Sequence, residues 1–379
     1  MKNTLKPAKQ SNRNYGIDLL RCVAMALVVM LHTLSRSGLL NNTPTHSLKY
    51  EVMWAMEIVA YCAVNVFIII SGYVGLKSRF KLSRILLLWL QVVFYNVLLT
   101  LIVSAVNGSF DKATIIKAFL PVSTDAYWFF TQYFLLCFIM PFINMAILHF
   151  KPKQNVFLLS IILFFTSVAP MIYSLLKLAR INYFNCDLFL ENNGYSILWL
   201  AIVYTVGCVL RQLNDCGYLK KLNSFICFIV FVSIDAVTWA IHYAVVSEKA
   251  PDAHNFAISY TSPFVLFAGV FMVLCFSNLK VGKASSKIIE FAGSSAFAVY
   301  LIHSQEAVYP IFKDKVEPIL HYRTAIAVPC VLYVIALTFI VGIFSDKIRL
   351  FLEKLLHIDK LCKLSDKLTD RIFSKEDIK

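Results

Sequence analysis

Residues 66–84 read Val66-Phe67-Ile68-Ile69-Ile70-Ser71-Gly72-Tyr73-Val74-Gly75-Leu76-Lys77-Ser78-Arg79-Phe80-Lys81-Leu82-Ser83-Arg84. An apolar run that begins near residue 54 stops here against four cations, Lys77, Arg79, Lys81 and Arg84, and a new apolar run starts near residue 85. A bilayer core about 30 Å thick is crossed by roughly 20 apolar residues in a helix, which is the length of each run. The basic cluster between them has the character of a short cytoplasmic connection. The stretch therefore predicts two membrane spans joined on the inner side.

Working outward, runs of similar length lie at 15–34, 54–76, 85–106, 127–149, 155–178, 195–213, 222–246, 257–279, 288–312 and 323–344. The expected fold is all-α, a polytopic membrane bundle of about ten transmembrane helices. Composition agrees. Charged residues make up 15% of the 379, against about 25% in soluble domains, and mean hydropathy is +0.70. Of the 36 Lys and Arg, 25 fall in the segments that are inner if the N-terminus is cytoplasmic, and 10 in the outer ones. Both termini are thus expected in the cytoplasm.

The net charge of +14 is spread over these short connections, which explains it without a nucleic-acid partner. The ten cysteines form no C-x-x-C pair and no metal-ligand spacing, and most sit inside apolar runs, so neither a disulfide scaffold nor a metal site is expected. Lys2, Lys6, Lys9 and Arg13 precede an apolar run with no small-residue cleavage pattern after it, so it is read as a retained first span. Residues 1–344 are expected to form the transmembrane domain. Residues 345–379, with Phe351, Leu355, Ile358, Leu368 and Ile372 near helical spacing among lysines, form a cytoplasmic amphipathic tail that suits the inner lipid surface.

Ionisable groups inside a span are costly and mark function by default. In the first span Arg21 and His32 are eleven residues apart, so they share a helix face about 16 Å apart along the axis. A phosphate-bearing carrier with a long arm would fit, held by Arg21 at the inner mouth with its reactive end at His32. The alternative stays open at this point: Arg21 pairs with Asp18 or lipid phosphate, and His32 bonds a neighbouring helix. Gly72 permits close backbone approach and Ser71 can bond within the bundle. His303 and Glu306, three residues apart in the ninth run, are expected on one face at a depth near His32. Glu57 and Trp128 lie towards the outer side and are candidates to meet a substrate there.

Several of these segments together resemble the acyltransferase-3 family. Arg21, ten residues and His32 look like its R-x10-H signature. Phe67 to Tyr73 is similar to its F-x-x-x-S-G-[FY] element, and Lys81-Leu82-Ser83-Arg84 resembles the R-x-x-R that follows, with Lys at 81 in place of Arg. Tyr127-Trp128-Phe129, Pro141-Phe142-Ile143-Asn144 and Tyr300-Leu301-Ile302-His303 are similar to further family segments in the expected order. The resemblance implies a multi-pass protein of the bacterial inner membrane. It would move an acyl group, usually acetyl, from cytoplasmic acetyl-CoA or another acyl-CoA to a hydroxyl of an extracytoplasmic cell-surface glycan. His32 would be catalytic, and Arg21, Ser71, Arg79, Lys81 and Arg84 would hold the donor. Glu57, Trp128, His303 and Glu306 would face the acceptor, a surface polysaccharide or lipid-linked glycan. Acyl-CoA is then a donor substrate, and no permanently bound cofactor is expected. With a short tail in place of a soluble esterase-like domain, direct acylation of the acceptor is expected.

A His with an ordinary pKa near 6.5 suits the chemistry, because a sugar hydroxyl must lose its proton as it attacks a thioester. Acylation of His32 itself, followed by relay, is the alternative route. A transporter or flippase of a glycan or small molecule would also place charges within spans. The prolines at 141, 170, 263, 310 and 329 show none of the paired helix breaks that would favour it.

Overall fold

A computed structural model of the protein describes residues 13–179 and 193–372. The expectations placed on Lys2, Lys6, Lys9, part of the connection between the fifth and sixth apolar runs, and residues 373–379 lie outside the described residues. The described chain is helical, and it contains no named strand. The first helices are α1 (Tyr15–Arg36), α2 (Leu48–Tyr61), α3 (Ala63–Gly75), α4 (Leu82–Val106) and the short α5 (Lys112–Ala118). Then come α6 (Trp128–His149), α7 (Pro152–Leu163), α8 (Ala169–Leu178), α9 (Ile197–Asp215) and α10 (Ser224–Val245). The last group is α11 (Pro263–Ser277), α12 (Lys283–Gly293), α13 (Ala296–Ser304), α14 (Tyr309–Val316), α15 (Thr324–Leu355) and α16 (Ile358–Ile372).

Eight helical segments among the described residues are long and apolar enough to cross a membrane: α1, α2–α3, α4, α6, α7–α8, α9, α10 and α15. The fifteen-residue α11 is a shorter apolar helix. Lipid as solvent explains the outer surface. Phe142, Phe157, Phe225 and Phe344 are each about two-thirds exposed, on four different helices, where a water-facing protein would carry charge.

Local chemistry sets the helix ends. The side chains of Asn14, Ser47, Ser196, Asn223 and Ser262 accept from backbone N–H groups in the first turns of α1, α2, α9, α10 and α11. Pro152 and Pro263 occupy first helical positions, where no N–H is missed. Pro170 cannot donate to the preceding turn, and a π-helical turn, Phe164–Val168, absorbs the mismatch between α7 and α8.

The centre of the bundle is the crossing of α3 and α9. A Cβ at Gly72 would lie 2.1 Å from the Tyr204 carbonyl oxygen, and one at Gly207 would lie 2.2 Å from that of Ile69. Only hydrogen fits at either position, so the two backbones meet as small-residue membrane crossings do. This close approach fixes the depth of α3, which carries Val64 and Phe67 to the site described below.

Two runs differ from expectation. The second is not one helix from 54 to 76. It begins at Leu48, under the Ser47 cap, and is broken at Cys62 into α2 and α3. The ninth run, 288–312, is not a continuous span. Ser294 and Ser295, following Gly293 at the end of α12, separate it from α13, and α13 ends at Ser304. The run of small residues there favours neither a long helix nor burial of a long apolar face. At the other end, α15 continues without a break through residue 344 to Leu355, and α16 follows. The helix α16 turns polar groups to the bundle: Thr369 Oγ1 and Asp366 Oδ1 accept from the backbone N–H groups of Leu82 and Ser83 at 3.4 Å each. Leu364, Leu368 and Ile372 are left exposed.

Candidate active site

A cavity of about 300 Å³ lies among α1, α2, α3, α6 and α13. Along α1 it is lined by Met25, Val28, His32 and Ser35. Arg21, Met25, Val28 and His32 follow the i, i+4, i+7, i+11 spacing of one helix face, so the cavity extends from His32 down towards Arg21 and stops about one turn short of it. The lower walls are apolar, formed by Val64 and Phe67 of α3 and Phe129 of α6.

One turn beneath this floor the helices become polar. Ser71 stands one turn past Phe67, and Tyr133 one turn past Phe129. The Ser71 hydroxyl donates to the Phe67 carbonyl at 2.9 Å, so Tyr133, whose hydroxyl is 3.1 Å away, must be the donor of the bond between them. Tyr133 also lies within electrostatic range of Arg21. Arg21, Ser71 and Tyr133 thus share one level on three helices. Arg21 is bonded to Asp18 Oδ1 at 2.5 Å, and Arg13 holds the other carboxylate oxygen and reaches Glu290. The hydrogen bond with Asp18 keeps the Arg13 guanidinium above its ordinary pKa.

The upper part of the cavity has a different character. Trp128, Tyr195, Tyr260 and Tyr61 form an aromatic wall. Trp128 packs 4.4 Å from Tyr195 and lies nearly parallel to Tyr260, and Tyr61 contacts Tyr260 at 5.0 Å between centroids. Glu57 lines the same space, is only 7% exposed, and its Oε2 has no hydrogen-bond partner within the protein. A buried carboxyl without a partner is costly unless it meets a polar ligand group or water.

His32 stands on the wall between the two regions. Its Nδ1 is 2.9 Å from Nε2 of His303 on α13 and 3.3 Å from the Ser304 hydroxyl. His303 is buried, 2% exposed, and its Nδ1 is 2.5 Å from the Val299 carbonyl oxygen. Arg36 donates to the His303 carbonyl at 2.8 Å and stacks on Tyr309. With Nδ1 engaged, the atom of His32 left to act on a ligand is Nε2.

The candidates read from the sequence therefore divide into groups. His32, Glu57 and Trp128 line one cavity, and Arg21 and Ser71 lie beneath it. His303 supports His32 from behind and does not line the cavity, contrary to its expected place facing a substrate. Glu306 is separated from it: α13 ends at Ser304, Gln305 takes an extended conformation, and Glu306 is exposed in the following turn. The expected His303–Glu306 face does not exist. Arg79, Lys81 and Arg84 are exposed at the base of α4, where Lys81 approaches Asp366 at 3.5 Å. Hydrogen bonds from Ser83 hold the Asp366 carboxyl below the usual carboxylate range.

Sequence reasoning missed Tyr133, Ser304, Arg36 and the tyrosines of the wall. Tyr133 had a signal, since it is one turn from the Tyr127-Trp128-Phe129 segment, and Arg36 follows His32 by four residues. Among the described residues no cluster of His, Cys, Asp and Glu is arranged to hold a metal ion.

A family model described as an acyltransferase domain matches residues 14–345. No curated protein and no solved structure gives a significant match.

Proposed function

The chain belongs to the acyltransferase-3 family, as a multi-pass membrane acyltransferase, and from that premise we propose that it carries an acyl group, acetyl in the simplest case, from cytoplasmic acyl-CoA to a carbohydrate hydroxyl outside a bacterial inner membrane. The observation that carries this reading is the position of His32. It stands between an apolar shaft that points along α1 towards Arg21 and an upper chamber walled by aromatic rings and the Glu57 carboxyl.

Each part suits one reactant. The shaft is walled by apolar side chains, which suits a flexible thioester arm, and the level of Arg21, Ser71 and Tyr133 offers one cation and two hydroxyls to its polar groups. The exposed cations Arg79, Lys81 and Arg84 add positive charge on the inner side, where the donor's phosphates would approach. Aromatic faces pack against the C–H faces of a pyranose, and a carboxyl fixes its hydroxyls. Trp128 and Glu57 supply both. The acceptor is on this reading a surface polysaccharide or lipid-linked glycan.

The reaction then needs one proton movement. His32 Nε2 takes the proton of the acceptor hydroxyl as its oxygen attacks the thioester carbonyl. The C–S bond breaks, the thiolate leaves, and the imidazolium returns the proton to sulfur. No net proton is gained or lost. Holding both reactants at His32 converts a bimolecular encounter into a local one, which is the larger part of the expected acceleration.

The test uses purified full-length protein in lipid nanodiscs with acetyl-CoA carrying a labelled acetyl group and a soluble glycan fragment as acceptor. Transfer of label to the glycan by the natural protein, and not by His32→Ala, is the expected result. Label retained on His32 when acetyl-CoA is given alone would replace direct transfer with the acyl-imidazole relay. Absence of both transfer and thioester hydrolysis would overturn the enzyme reading in favour of transport.

A further inference from the structure

We infer that His303 is a positioning residue that sets the tautomer of His32, placing the ring proton on Nδ1 and leaving Nε2 as the base. This rests on the catalytic reading of His32 but adds a residue and a role to it.

The donors and acceptors around the two rings fix where the protons sit. A backbone carbonyl only accepts, so the 2.5 Å contact between His303 Nδ1 and the Val299 oxygen requires a proton on that nitrogen. A neutral His303 then has a bare Nε2, which can only accept. Its partner at 2.9 Å, Nδ1 of His32, must therefore donate. The Ser304 oxygen, 3.3 Å from the same nitrogen, can accept from it as well. With Nδ1 protonated in a neutral ring, His32 carries its free electron pair on Nε2.

The doubly protonated form of His303 would undo this logic by donating at both nitrogens. It is opposed by burial and by the permanent charge of Arg36, which donates to the carbonyl of His303 itself. That bond also ties the end of α13 to α1. When His32 takes a proton at Nε2, its Nδ1–H bond to His303 strengthens, because the donor is now charged. The pair is thus arranged to stabilise the imidazolium that the reaction forms.

The test is ¹⁵N NMR of full-length protein in nanodiscs, labelled at the histidine ring nitrogens, with the signals of His32 identified by their loss in His32→Gln. The expected spectrum at neutral pH shows His32 protonated at Nδ1 and bare at Nε2. His303→Gln should keep that pattern, since its amide oxygen can accept in place of Nε2, and should retain most acyl transfer. His303→Leu should release the tautomer to a mixture and lower kcat about 10- to 100-fold, with the KM of donor and acceptor little changed. His32 found protonated at Nε2 in the natural protein, or a spectrum unmoved in His303→Leu, would overturn the inference whatever the activity. The expected tautomers in a protein that transfers no acyl group would instead refute the reaction and leave the role of His303 standing.

Discussion

His32 and His303 lie 271 positions apart in the chain, yet Nδ1 of the first is 2.9 Å from Nε2 of the second. One helix, α1, carries His32 up from Arg21, and the separate short helix α13 brings its partner from behind. The cavity side of the His32 ring is left for chemistry.

The most direct consequence concerns His32 itself. His32→Ala should fold and insert normally but lower acyl transfer by about 10²- to 10⁴-fold, the usual contribution of a positioned acid–base group. Size-exclusion profiles in detergent together with initial rates decide this. An active His32→Ala protein would refute the assignment.

Glu57→Gln and Trp128→Ala act on the upper chamber. Each should raise the KM for the glycan acceptor about tenfold or more and leave the KM for acyl-CoA within about twofold, because neither residue reaches the lower shaft. Steady-state rates with each substrate varied separately check the split. A change confined to the donor KM would place these residues wrongly.

Tyr133→Phe and Arg21→Gln should give the opposite pattern, a raised donor KM with the acceptor KM unchanged. Tyr133→Phe removes only the hydroxyl that donates to Ser71, so loss of about one hydrogen bond, roughly 1 kcal/mol or fivefold, is expected. Equal effects on both substrates would show that this level is structural.

Packing gives a prediction independent of chemistry. Gly207→Val places carbon where the Ile69 carbonyl oxygen is 2.2 Å away, and the α3–α9 crossing must open. Overpacking of this kind costs about 1–3 kcal/mol or more. Thermal unfolding in detergent should fall by several degrees, whereas Gly282→Ala, where a Cβ meets open space and the backbone is extended at φ −71°, should move it far less.

Much of this arrangement is legible in the sequence, and the limits have physical causes. Each span shows itself because a crossing helix needs about 20 continuous apolar residues, so Ser224–Val245 and Thr324–Leu355 stand out. The start of α2 does not, because Lys49 and Glu51 interrupt the apolar pattern while the Ser47 cap still starts the helix there. The break after Gly293 hides inside a run that is apolar on average. Arg21 and His32 are conspicuous as ionisable groups in lipid-compatible surroundings. The wall of Tyr61, Tyr195 and Tyr260 is not, since membrane proteins carry aromatic residues at their interfaces for other reasons. The contact of His32 with His303 has no local pattern at all.

The loop that leads into Tyr260 should respond to acid. Burial holds His254, which lies between α10 and α11, below its ordinary pKa of about 6.5. The opened loop therefore binds more protons than the closed one below that value, so stability of the closed form rises with pH and falls as pH drops through about 6.5. Labelling of a cysteine introduced at Ala257, which is fully buried, should quicken between pH 7.5 and 5.5 once corrected for thiolate content. His254→Gln should remove that trend, and a natural protein without it would contradict the assignment.

The central claim, an acyl group delivered at His32 to a glycan outside the membrane, is tested most directly by mass spectrometry of surface polysaccharide. Cells of a host that makes a suitable acceptor would carry the natural protein, His32→Ala, or neither. The account predicts an added acyl mass only with the natural protein. The same mass in cells carrying His32→Ala would contradict the account.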